Sequence, residues 1–156
     1  MGGCGLCYRA MTNTTSRAPW HLWLIGVIAV LFNSIGVSDF VMAMTQGEKY
    51  MASAGMTPDQ IAHYRDMPAW MTAVWAIGVW SAFLASILLL LRRKIAFPIF
   101  VLSLAAFLLS LVYTYVLTDG GAVMGQQMAI TSAVIAILLF VFSWYSHAMT
   151  KRGVLR

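Results

Sequence analysis

Four stretches of the chain, 18–38, 67–91, 95–118 and 120–150, contain no Lys, Arg, Asp or Glu at all. Each exceeds the roughly 20 residues that an α-helix, rising about 1.5 Å per residue, needs to cross hydrocarbon. A chain in lipid must satisfy its own backbone hydrogen bonds, and a single apolar run can do that only as a helix. The pattern therefore predicts an all-α fold: an integral membrane four-helix bundle with transmembrane segments over 20–44, 67–91, 95–118 and 124–148. With 61% hydrophobic and 10% charged residues, a water-soluble domain of 156 residues could not cover its own surface, so lipid has to be part of the solvent. Residues 20–150 are expected to form one domain, flanked by a disordered cytoplasmic N-terminus over 1–19 and a basic cytoplasmic tail over 151–156. The first apolar run is too long for a signal h-region and has no small-residue cleavage site before a mature domain, so it is expected to stay as a helix.

The ten Lys and Arg residues decide orientation. Assigned to alternate loops, Arg9, Arg17, Arg92, Arg93, Lys94, Lys151, Arg152 and Arg156 share one side, and only Lys49 and Arg65 fall on the other. Cytoplasmic flanks carry the Lys/Arg excess, which predicts that both termini and the Arg92-Arg93-Lys94 turn face the cytoplasm. The net charge of +5 is thus an orientation signal reinforced by anionic headgroups, and no nucleic-acid partner is expected. The lipid bilayer is the first partner.

Outside the spans the sequence offers little chemistry. Cys4-Gly-Leu-Cys7 has a spacing used by metals and redox pairs, but no second pair completes a four-ligand set. A passive N-terminus, with translation starting at Met11, competes with acylated or metal-binding cysteines. Thr57-Pro58-Asp59-Gln60 reads as a helix start, with Thr at the N-cap, Pro at N1 and Gln at N3, and predicts a short helix on the outer side between the first two spans.

Within the spans the polar residues are few enough to name. Gly26, Ala29, Asn33, Gly36, Phe40 and Ala43 share one face of the first helix, a small-residue stripe that suits close helix packing. Gly78, Ser81, Ala82 and Ala85 form a similar face on the second. Asn33 lies at mid-depth and needs a hydrogen-bond partner, with Ser81, Ser103 and Ser110 as candidates; substrate contact is the competing role. Asp39, about 9 Å further along the helix, is the only acid within a span, which makes it either an ion pair with Arg65 or a proton or ion site. Ser103, Ser110 and Tyr113 form a polar stripe on the third helix that serves as helix glue or lines a pathway. His21 and His147 both fall at the cytoplasmic interface, where a haem between them is conceivable, though interfacial histidines are usually just solvated. No catalytic residue, metal site or other cofactor is expected.

Trp20-His21-Leu22-Trp23, Asn33-x-x-Gly36-x-x-Asp39, Pro68-Ala69-Trp70, Trp75-Ala76-x-Gly78-x-Trp80 and the Leu-rich run into Arg92-Arg93 resemble a group of small, uncharacterised bacterial four-helix membrane proteins. Some members of that group carry the label "sugar transporter". The resemblance extends over 20–117 and implies fold and inner-membrane location only. A sugar site needs several carboxylates and amides at mid-depth, and Asn33 stands alone there.

Three function classes follow. The favoured one is a non-catalytic accessory or assembly subunit of a larger membrane complex. The second is a small transporter or channel working as a homo-oligomer, because four short helices enclose little volume. A dual-topology exporter is disfavoured by the eight-to-two charge bias, and the in-out-in path of each helix pair rules out an inverted repeat of two equal halves. The third, a membrane redox protein or enzyme, lacks paired intramembrane carboxylates or a nucleophile set at shared depth.

Overall fold

The computed structural model describes residues 19–118 and 120–155; Cys4, Cys7 and Asp119 lie outside them. The described residues are helical, without strands. Their order is α1 (Trp20–Gln46), α2 (Glu48–Ser53), α3 (Pro58–Arg65), α4 (Ala69–Leu90), α5 (Ala96–Val112, extended by a π-helical turn over Tyr113–Leu117) and α6 (Gly120–Lys151). Four of these segments, α1, α4, α5 with its π turn, and α6, are long and apolar enough to cross a membrane. Their outward faces are apolar too: Leu31, Ile35, Ile137 and Phe140 are all at least 62% exposed on the isolated chain, as lipid contact requires.

The breaks between helices follow from local chemistry. Gly47 ends α1 with φ of 55°, a conformation in which glycine avoids a Cβ clash. Thr57 Oγ1 accepts from the Gln60 N–H at 3.3 Å while Gln60 Oε1 accepts from the Thr57 N–H at 3.1 Å, a complete capping box starting α3. Gly125, with φ of 70° and ψ of 173°, breaks α6 near its start. Gln60 Nε2 donates to the carbonyls of Val123 and Met124 just before that break, at 3.3 and 3.1 Å. One side chain thus starts α3 and satisfies two carbonyls of α6.

Packing runs in an open series: α1 lies against α4, α4 against α5 and α5 against α6. At the end carrying Arg92, Arg93 and Lys94 the bundle is dense. Leu22, Leu89, Ala96, Phe100, Phe142 and Met149 form its core. Val154 and Leu155 join it, buried to 4% and 0% exposure, so this part of the basic tail folds back as a plug. Arg92 holds the plug by donating from Nε and a terminal nitrogen to the Val154 carbonyl at 3.1 and 3.0 Å. The other end, carrying α2 and α3, is built differently.

Candidate functional site

Toward the α2–α3 end, α1 and α6 separate and leave a crevice of about 710 Å³ between them, with α4 and α5 as its floor. The volume is that of a small-molecule site, which is usually apolar with a few placed polar groups and often lies between helices of a bundle. Phe32, Ile35 and Met42 line the α1 side, Val74, Val79 and Phe107 the floor, and Ile130, Val134 and Leu139 the α6 side. At its dense end the crevice closes where Phe32 meets Phe142, with ring centroids 6.5 Å apart.

Polar groups occupy two levels. At the deep level, Asn33 Nδ2 donates to Ser86 Oγ at 2.9 Å and to the Ala29 carbonyl at 2.8 Å. The partner is therefore Ser86 and none of Ser81, Ser103 or Ser110. Ser81 turns back onto its own helix at Ile77, and Ser110 does the same at Ala106. Ser103 instead crosses to α4, donating to the Gly78 carbonyl at 2.8 Å, which makes it interhelical glue. Ser103 and Ser110 both still border the crevice.

At the mouth stand Ser38, Asp39, Tyr50 and Thr131. The Tyr50 hydroxyl donates to Asp39 Oδ1 at 2.8 Å. That bond, together with the negative charge of Asp39, holds the Tyr50 hydroxyl above its ordinary pKa of 10.0. Tyr64 on α3 is also raised, by burial first and then by Asp39 and Tyr115. The expected pairing of Asp39 with Arg65 is not formed. Arg65 reaches Glu48 at 3.4 Å and Asp66 at 3.5 Å instead, because α2 brings Glu48 next to α3. Among the described residues no cation pairs with Asp39, which is left as an exposed carboxylate at the crevice mouth.

The small-residue stripes divide between two roles. Gly26 is buried where any Cβ would run into the Leu90 side chain, and Ala29 and Ala82 are buried between helices. A Cβ on Gly78 would touch Ala106 at 3.5 Å, ordinary contact between α4 and α5. Gly36 differs: nothing lies within 4 Å of a Cβ placed there, so its missing side chain widens the crevice instead of letting helices approach. Tyr113 packs its ring edge-on to Trp70 at 5.4 Å and is not among the residues lining the crevice. His21 and His147 take different partners: His21 Nδ1 shares a 2.7 Å hydrogen bond with the Tyr145 hydroxyl, and the His147 ring lies tilted against Phe97 at 4.7 Å.

Tyr50, Thr131 and the α6 wall were not legible as site residues. Tyr50 sits on a six-residue helix with no cap signal in the sequence, and the α6 wall is ordinary Ile, Val and Leu. Comparison of the chain with family models, curated proteins and solved structures finds no match.

Proposed function

We propose that the protein is a small, non-catalytic inner-membrane protein that takes amphiphilic cations from the bilayer into the crevice between α1 and α6. It then belongs to the transporter or channel class, working as a homo-oligomer. The observation that carries this reading is the combination of an apolar crevice of ligand size with an exposed carboxylate, paired to no described cation, at its mouth. An apolar body would lie along Phe32, Val79 and Val134, while an ammonium or similar head would meet Asp39, itself oriented by Tyr50. In the proposed topology both termini are cytoplasmic, on the strength of the eight-to-two Lys/Arg distribution, and α2, α3 and Asp39 lie on the outer side. A sugar fits poorly, because a largely apolar wall leaves most hydroxyls without partners.

The test is binding of a lipophilic cation, tetraphenylphosphonium, to purified protein in nanodiscs. Asp39→Asn should weaken binding about tenfold, the size of one charge pair near the surface, and leave an uncharged amphiphile of equal bulk unaffected. Gly36→Phe, which places a ring in open space, should block both. Equal cation affinity in wild type and both variants contradicts the proposal.

A second reading, an accessory subunit of a larger membrane complex, is favoured by the same crevice being open along its side toward lipid. A partner's transmembrane helix would then fill it, and cross-linking from Val134 would capture a second protein in place of a small molecule.

A further inference from the structure

A second cavity, of about 120 Å³, lies beside the crevice and shares Trp75, Phe107 and Ser110 with it as a wall. Four of its lining residues are methionines: Met67 just before α4, Met71 in its first turn, and Met124 and Met128 flanking the Gly125 break of α6. Neither pair lies on one unbroken helix: Met67 precedes the Pro68 N-cap of α4, and the Gly125 break falls between Met124 and Met128, so the cavity itself is what gathers the four side chains. The concentration of sulfur is part of a wider asymmetry. Of the nine methionines among the described residues, only Met149 lies at the basic end; Met42, Met44, Met51 and Met56 join the four cavity methionines toward the α2–α3 end.

From this convergence we propose a binding site for a soft monovalent metal ion, Cu(I), held by the thioethers of Met67, Met71, Met124 and Met128. Thioethers are soft, neutral donors that select Cu(I) over hard cations such as magnesium or calcium. Among the described residues no group of three His, Cys, Asp or Glu forms a competing site for a harder metal. Tyr115 lines the same cavity, and its hydroxyl is buried without a hydrogen-bond partner among the described residues, a polar atom that a purely core-filling cluster of methionines leaves unexplained. The Gly125 break fits the assignment as well. With φ of 70° it redirects the chain between Met124 and Met128, while Gln60 fixes the Met124 carbonyl, so the second pair is set by a positioned kink. Thioether ligands carry no proton to lose, so affinity should not change with pH across the range where histidine and thiolate sites weaken.

The experiment is an anaerobic Cu(I) titration of the full chain in detergent against a chromogenic Cu(I) chelator. It uses a Cys4→Ser/Cys7→Ser background, so that the N-terminal cysteines contribute nothing. The expected result is one Cu(I) per chain, with the same affinity at about pH 5.5 and pH 7.5. Met67→Leu/Met124→Leu keeps volume and apolarity. It should weaken binding by more than about a hundredfold, since losing only an outer-shell partner already costs a metal site about 10- to 100-fold. Copper X-ray absorption on the Cys4→Ser/Cys7→Ser protein with all four methionines intact should show a shell of sulfur scatterers, and it reads the site even if the leucine variant folds poorly. Loss of all Cu(I) uptake with the two cysteines, equal uptake by the double leucine variant, or a copper shell without sulfur each overturns the proposal.

Discussion

The two halves of the bundle are made from similar residues and pack in opposite ways. At the basic end, Phe100, Leu22, Leu89 and Leu155 have no exposed surface, and the chain's own tail seals the space under Arg92. At the other end the same four helices leave about 710 Å³ unfilled, and glycine at position 36 adds to the gap. In lipid the hydrophobic effect does not drive helices together, so association rests on close packing and on interhelical hydrogen bonds. The dense half supplies the packing, and Asn33–Ser86 and Ser103–Gly78 tie α1 to α4 and α5 to α4 at the boundary between halves. A helix pair held firmly at one end can separate at the other without loss of the fold. That division of labour is what allows a crevice to exist in so small a protein.

The largest expected effect comes from emptying the dense half. Phe100→Ala should cost about 3 kcal/mol, mostly through the cavity it leaves, whereas Val134→Ala in the crevice wall should cost less than about 1 kcal/mol because that wall already faces open space. Unfolding of the reconstituted protein under steric trapping compares the two directly, and similar costs would erase the distinction between halves. Next in size is a pair of glycine substitutions. A Cβ on Gly120 would lie 2.5 Å from the Thr114 carbonyl and 2.6 Å from its methyl, with His63 behind it at 3.3 Å, so Gly120→Ala should destabilise by about 1–3 kcal/mol. Gly36→Ala, which meets nothing within 4 Å, should be neutral or slightly stabilising through helix propensity.

The smallest effect is a pH dependence at the α2–α3 end. Tyr50 and Tyr64 both have hydroxyls raised above 10.0, so the folded protein holds these protons more tightly than the unfolded chain. Their stabilising contribution is complete below about pH 10 and is lost as pH rises through the raised folded values. Asp39→Asn should flatten this alkaline decline, because the carboxylate contributes to both shifts. A circular-dichroism melt series across alkaline pH would show it, and an unchanged decline in the variant would remove Asp39 from the account.

Much of this fold is written in the sequence because lipid imposes so simple a rule. Four runs without charge had to become four long helices, and they are. The features that give the bundle its two characters depend on tertiary placement. Val154 and Leu155 look like part of a basic tail until the fold brings the Arg92 guanidinium over them. Gly36 belongs to the same small-residue stripe as Gly26 and Ala29, yet it faces the gap because α6 diverges from α1 at its level. Asn33 announced its need for a partner, but identifying Ser86 required the register of α4 against α1. Asp39 was legible as the one acid in a span; that it stands at the mouth of a crevice, bonded to Tyr50, depends on α2, a six-residue helix without sequence signals. The methionines carried no signal in the sequence, and only the cavity bordered by α4, α5 and the broken start of α6 brings four of them together.

The central claim is that the crevice holds a small amphiphile drawn from the membrane, and native mass spectrometry of the protein gently extracted from its host membrane tests it most directly. The account predicts one chain, or a homo-oligomer of it, carrying a small-molecule adduct that disappears in Gly36→Phe. A stoichiometric second protein, with no small adduct on the chain and a complex that Gly36→Phe dissociates, would contradict it and make the crevice the seat of a partner's helix.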